Sequence, residues 1–342
     1  MGIRTEYRKV SIMDLEFFID SRDLNFDYHS LPLAEGEDKD MLRRYMELTR
    51  LIQQIEQLFL LFIFNVDLFV QNYEIYPDGL IVRKNRASIR IKLNLDEENK
   101  HMIWSGREEW NDYIAINAFI NNVLSSGRNL TQVLEHGSSF FDKILGNGLA
   151  VDFKNRYMSD IYDKSFAYSF LHEMRNFTQH THTAVSLSDH ERYCFDLNTI
   201  LETPRYKMKS DIKTMLSDIT AKFSEELDSY PYISIALPLA EYTYCVVYLS
   251  FQFMQEHEDI FLMEHRNFMK SFEEKDLIYR SEDEFDGNAF YYDADENLLH
   301  TIHCSEDEKF YYKSVKECFE QRYLMEKEEV SDLGLNLTYL EI

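Results

Sequence analysis

Residues 162–183, YDKSFAYSFLHEMRNFTQHTHT, decide how the rest of the chain is read. Ile161, Phe166, Phe170, Met174 and Phe177 recur at helical spacing, the signature of one apolar face. The spacing predicts a helix from about Ile161 to about His182. Its last turns crowd together Arg175, Asn176, Gln179, His180 and His182, and nowhere else does the chain set an arginine and two histidines so close. The apolar stripe places the helix in a core. The polar end asks for a chemical explanation.

The surroundings favour long helices. The 342 residues include only 10 Gly and 5 Pro, and none of the prolines lies between 78 and 203, which argues against a turn-rich β fold. Upstream, Met41, Tyr45, Leu48, Leu51, Ile52, Ile55, Leu58 and Phe62 form one helical stripe from about Asp38 to Tyr73. The run becomes apolar all round near Leu60 and Phe64, so that part is expected at the centre of a bundle. Residues 58–70 carry Asn65 and Asp67 and are too short and too polar to read as a membrane span. YPDG at 76–79 is a turn signature, and residues 80–83 and 87–95 read as an inserted β-hairpin near 80–95. Helices follow over about 97–127 and 130–145, where SSGRNL at 125–130 either kinks the chain or continues it. Residues 184–203 read as strand or loop. Two more helices are expected over about 207–227 and 237–257.

The expected fold class is therefore mainly α: a helical domain over 38–260 with the hairpin inserted, preceded by an irregular segment at 1–37 in which only Val10–Phe18 suggests a strand or short helix. Residues 261–342 form an acidic α+β C-terminal region, with FYYDADENLLHTIHC as a hairpin and a helix near 310–327. Within 281–342 there are 17 Asp or Glu against 5 Lys or Arg, a net of −12 from those two counts, which reads as a solvated face.

Charge and cysteine content narrow the function. A formal net charge of −25 repels nucleic acid at long range, so any nucleic-acid role needs a local basic patch. Residues 83–92 supply one in Arg83, Lys84, Arg86, Arg90 and Lys92, with no acid among them. The same charges also suit a protected edge strand. Arg205, Lys207, Lys209 and Lys213 form a weaker patch. Four cysteines without CxxC spacing, and no leader-like N-terminus, point to free thiols in a reducing cytoplasm, with no membrane association.

Arg175-Asn176-Phe177-Thr178-Gln179-His180 is R-N-x-x-x-H, and here the chain resembles the HEPN superfamily, whose ribonuclease members carry R-x(4–6)-H near the end of a late helix. Asn176 fits the polar residue that often follows the arginine, and His182 fits the longest spacing. RNFTQH also resembles the RNYxQH form of many bacterial helical proteins. The resemblance covers about 40–260 at fold level and 175–182 at motif level. It implies a HEPN-like bundle and a metal-independent endoribonuclease acting as a toxin or antiphage defence effector. It also implies a homodimer that pairs two motifs, an RNA substrate, and an antitoxin or defence-system partner.

The residue chemistry agrees with that implication. Cleavage without a metal needs a base for the 2′-hydroxyl, an acid for the leaving 5′-oxygen and a cation for the phosphorane. An imidazole, with an ordinary pKa of ~6.5, takes either proton role, and a guanidinium grips phosphate bidentately. Asn176 and His180 are four apart, so the amide is placed to orient the imidazole. The candidate catalytic set is Arg175, Asn176 and His180, with His182, Gln179 and Arg128 as further candidates. Arg128-Asn129 echoes Arg175-Asn176 but has no histidine at motif distance.

Other chemistries fall away. His172-Glu173 is followed by Asn176, so HExxH is absent. Asp293-x-Asp295-x-Asn297 lacks the glycine and the final glutamate of a calcium loop. His300 and His303 lack a second ligand pair, so no metal is expected. There is no P-loop, GxGxxG or GxSxG, so no cofactor is expected. Arg and His at a helix end also compensate the helix dipole, which leaves a second reading open: a non-catalytic, HEPN-like nucleotide- or protein-binding module.

Overall fold

A computed structural model of the chain describes residues 7–12, 15–20, 37–75, 81–84, 108–145, 153–180, 183, 185–187, 193–203, 206–226, 231–274, 288–292, 298–303 and 308–335. Among these, eight α-helices carry most of the residues and the strands are short, so the fold is mainly helical. The helices are α1 (Glu37–Asn72), α2 (Glu108–Leu145), α3 (Ser159–Lys164), α4 (Phe166–His180), α5 (Leu197–Glu202), α6 (Ser210–Glu226), α7 (Ala236–Glu274) and α8 (Glu308–Asp332). The chain divides into two compact units, Met1–Glu56 with Phe251–Glu320 and Gln57–Ser250 with Gln321–Ile342. These units cross the boundaries expected at 37/38 and 260/261.

The first unit holds a four-stranded antiparallel sheet in the order β1 (Tyr7–Ile12), β2 (Leu15–Asp20), β8 (Asn288–Tyr292), β9 (Leu298–His303). The aromatic hairpin expected near 289–303 is present, with Phe290 opposite Thr301. The N-terminal segment, expected to be irregular apart from a strand or short helix around Val10–Phe18, contributes two strands, and Phe17 lies opposite Tyr291. Such a pairing has no local signal in the sequence, because the partner strand lies more than 250 residues away. Beside the sheet residues, Tyr312 of α8 stacks on Phe261 of α7 at 4.4 Å, and Lys316 pairs with Glu258 at 2.5 Å.

The second unit carries the polar cluster. The helix expected from Ile161 to His182 is interrupted at Ser165. That residue is extended (φ −96°, ψ 110°), and its amide closes α3 on the Ile161 carbonyl. Its Oγ then accepts from the Tyr168 amide at 3.0 Å, the N-cap bond that opens α4. The same hydroxyl donates to Glu241 of α7 at 2.6 Å, tying the junction to the next helix. Phe170, Leu171, Met174 and Phe177 of α4 are fully buried. Each contributes about 1.5–3 kcal/mol of burial.

α2 runs unbroken through SSGRNL and packs antiparallel against α4. Asn121 accepts from Thr178 at 3.1 Å, and further along α2 the Thr131 side chain acts on the Tyr168 hydroxyl. Beyond α4 the chain returns along α2. Asn117 clamps Val185, accepting its N–H at 2.9 Å and donating to its carbonyl at 3.1 Å. Residues 185–203 then form β5 (Ser186–Leu187), β6 (Tyr193–Asp196) and α5. β6 pairs on its other side with β7 (Tyr232–Ser234). Asp196 caps α5 through the Asn198 and Thr199 amides.

Two expectations for α1 change. Ile52, Ile55, Phe59, Phe62 and Phe69 are buried, but Leu60 and Phe64 are 49% and 59% exposed. The helix is therefore packed on one side here, not all round. By length and composition alone, Glu47–Asn72 would suffice to cross a bilayer, yet its Asp67 is held by Arg322 at 3.0 Å. The hairpin also forms earlier than expected. β4 (Ile81–Arg83) pairs back with β3 (Tyr73–Ile75), Tyr73 opposite Arg83. The stretch 87–95 lies outside the described residues.

One close approach joins the helices of this unit. Tyr242 of α7 stacks on Tyr168 at 5.7 Å and meets Phe62 edge-on at 6.4 Å. Its hydroxyl would lie 2.6 Å from a Cβ placed at Gly127, and Phe62 would lie 3.0 Å from it. Only glycine leaves that room. Alanine gains about 1 kcal/mol of helix propensity, but overpacking costs about 1–3 kcal/mol. Gly127→Ala should therefore lower the urea midpoint of unfolding, and adding Tyr242→Phe should recover part of the loss. A midpoint raised by the alanine would contradict this packing.

Candidate functional site

α4 is a helix with two kinds of face. Phe170, Met174 and Phe177 point into the core, while Tyr168, His172 and Arg175 follow one another at four- and three-residue steps along another stripe. Glu173 is buried too, but it is satisfied by the Tyr206 hydroxyl, which donates to its carboxylate at 2.6 Å and to its carbonyl at 3.0 Å. The second stripe is where the cations collect.

Arg175 is half-buried. Its Nε is sealed from solvent and has no hydrogen-bond partner, while Nη1 donates at 3.4 Å to Asn176 Oδ1. An unsatisfied buried donor costs about 1–3 kcal/mol. Burial lowers the pKa of this guanidinium, and the charge of Arg128 on α2 lowers it further. Arg128 of α2 thus acts on Arg175 of α4 as a like charge.

His172 joins them. Its Nδ1 is also buried without a hydrogen-bond partner. Its ring meets Tyr162 edge-on at 6.0 Å and lies 6.5 Å from Tyr168. Burial pushes its pKa down to about 4, and Arg128, Lys209 and Arg175 push the same way. The imidazole is neutral at ordinary pH. Lys209 stands at the edge of the group, donating to the Tyr162 hydroxyl at 2.9 Å and lying 4.2 Å over its ring. Below, Tyr168 and Tyr242 are fully buried, and their hydroxyl pKa values are raised by that burial.

The other sequence candidates are placed differently. His180 is exposed on the last turn of α4, and Gln179 is exposed beside it. Asn176 turns its Oδ1 to Arg175, and among the described residues no hydrogen bond joins it to His180. Thr178 Oγ1 donates to the Arg175 carbonyl at 2.9 Å within the last turns. His182 lies outside the described residues, as do Arg86, Arg90 and Lys92. The side chain of Arg83 is likewise outside them. Lys84 is exposed and spends its ammonium on the Val70 carbonyl at 2.9 Å, at the C-terminal end of α1. That is helix capping, the structural reading of the patch.

His172 and Lys209 were not among the candidate site residues. The signal for His172 was its helical spacing, one turn before Arg175 and one after Tyr168. Lys209 stood in the weaker basic patch. Among the described residues no group of three or more His, Cys, Asp or Glu side chains could hold a metal. His300 and His303 lie on β9, with side chains outside the described residues.

No family model, no curated protein and no solved structure matches this chain. The geometry therefore stands without a relative beside it. It defines a cationic cluster on an aromatic floor, between two antiparallel helices.

The depressed pKa of His172 has a consequence for stability. An unfolded histidine titrates near ~6.5, so between that pH and about 4 the unfolded chain binds the proton that the folded chain refuses. Stability should fall as pH drops through this window. At pH 5 the contribution is on the order of 1–2 kcal/mol. Urea unfolding of wild type and His172→Asn at pH 7 and pH 5 checks it, with the variant expected to lose less stability on acidification.

Proposed function

We propose that this chain is a metal-independent endoribonuclease of HEPN type, a toxin or antiphage defence effector. In this reading Arg175 clamps the scissile phosphate and His180 serves as general acid or base. Asn176 then acts on Arg175, to which it is bonded, rather than on the imidazole. The observation that carries the reading is the Arg175 guanidinium. Its Nε is buried and unpartnered, and it stands beside Arg128, in a chain with a net charge of −25. A cation kept beside another cation, with no carboxylate bonded to it, suits an anionic substrate.

The chemistry needs two proton carriers. One takes the 2′-hydroxyl proton as the 2′-oxygen bonds to phosphorus, and the other protonates the 5′-oxygen as its bond to phosphorus breaks. One exposed histidine supplies one of them. A homodimer, in which a second copy brings a second His180, supplies the other. Leu60, Leu61 and Phe64, exposed on α1, offer an apolar surface for such pairing. An antitoxin or defence-system partner would restrain the site.

A second reading has its own support. The groups assembled within one chain are binding groups, Arg128, His172 and Arg175, while His180 stands apart on the surface. That arrangement suits a non-catalytic nucleotide- or protein-binding module of the same fold.

The test is RNA cleavage in EDTA by wild type, Arg175→Ala and His180→Ala. The expected products carry 2′,3′-cyclic phosphate and 5′-hydroxyl ends, and each substitution should cost about 10²-fold or more in rate. Cleavage that survives both substitutions would overturn the assignment. A wild type that binds RNA without cutting it would favour the second reading.

A further inference from the structure

We propose that Arg128, His172 and Arg175, bordered by Lys209, form one pocket for a phosphate group. Its place in RNA cleavage rests on the ribonuclease reading above; its capacity to bind phosphate does not.

The first argument is charge. Arg128 comes from α2, His172 and Arg175 from α4, and Lys209 from the segment before α6. They act on one another: Arg128 on both Arg175 and His172, and Lys209 on His172. Glu135 acts on Arg128 and His172, and Asp211 and Glu173 act on Lys209, but the acids nearest the cluster are bonded to other donors. Glu135 is bonded to Lys154, Glu173 to Tyr206 and Glu241 to Ser165. Among the described residues no salt bridge joins Arg128, Arg175 or Lys209 to a carboxylate. Elsewhere the second unit pairs its half-buried arginine, with Arg322 contacting Asp67 at 3.0 Å and Glu326 at 2.6 Å. The contrast marks the α2–α4 cluster as a place where the balancing anion comes from outside.

The second argument is hydrogen bonding. Arg175 Nε and His172 Nδ1 are both buried and both lack a partner. A neutral imidazole carries one N–H, and a bound oxyanion selects the tautomer that turns it inward. Two guanidinium groups, an imidazole and an ammonium exceed what a carboxylate can accept. A phosphate ester, with three non-bridging oxygens and up to two negative charges, can use that set. The aromatic floor of Tyr162, Tyr168 and Tyr242 lowers the local dielectric and strengthens each of these bonds.

The test uses the full chain with three probes: inorganic phosphate, a 5′-mononucleotide, and a short single-stranded RNA with 2′-O-methyl sugars that cannot be cleaved. Titrating the isotope-labelled wild type should shift the Arg175 Nε–H and His172 ring signals saturably, a readout that needs no variant to fold. Arg128→Gln and His172→Asn should each weaken binding about tenfold or more, which is the scale of one charge-assisted bond. Binding of all three probes assigns the pocket to the phosphate group itself. Binding of RNA alone assigns it to the phosphodiester backbone. No saturable shift with any probe overturns the pocket, as does wild-type affinity in a folded Arg128→Gln. Intact phosphate binding without RNA cleavage would sink only the ribonuclease reading, and cleavage without phosphate binding at these residues would sink only the pocket.

Discussion

The Tyr242 hydroxyl lies against the α2 backbone at Gly127, and the second unit depends on that approach. With no side chain at 127, α7 comes close enough for Tyr242 to stack on Tyr168. The Tyr168 hydroxyl in turn feels the Thr131 side chain on α2. Three helices are thereby held by two aromatic rings, and the residue after the glycine is Arg128. The same contact that closes the core sets one arginine beside the other across the α2–α4 seam.

The electrostatics follow from this floor. Burial penalises every charge above it. His172 answers by staying neutral, whereas Arg175 has its pKa lowered by burial and by the like charge of Arg128. The same unit handles buried charge elsewhere by pairing it. Arg322 bridges Asp67 and Glu326, and burial still pushes the Glu326 carboxyl up to about 7. Pairing at one end and concentrated positive charge at the other is not what a stability-driven arrangement alone would produce. Unpaired buried charge is costly and is characteristic of sites that bind or react.

Much of the architecture was legible in the residues. The stripes at Ile52–Phe62 and Phe170–Phe177 read as helices because three- and four-residue apolar spacing permits little else. The aromatic hairpin read correctly because its alternation is local. Ser165 was missed as a helix break because a serine inside an apolar periodicity looks tolerable. Its hydroxyl caps α4 by accepting from the Tyr168 amide, and it is tied in place by Glu241, 76 residues on. Val10–Phe18 suggested a strand or short helix, but two paired strands were not read there because their register is set by β8, at the other end of the chain. Lys84 looked like part of a basic patch, and its use as a helix cap depended on where β4 returned.

The sequence by itself determined that α4 is a core helix ending in Arg175, Asn176 and His180, since that follows from spacing along one element. Only the tertiary structure decided which groups face Arg175. Arg128 comes from α2 and acts on Arg175, while Lys209 comes from another element and acts on His172, which became part of the site only once Tyr162 and Tyr168 enclosed it. Local periodicity specifies a helix face, because it depends on rotation about one axis. The juxtaposition of charges depends on distances between axes, and here a missing side chain at Gly127 sets them.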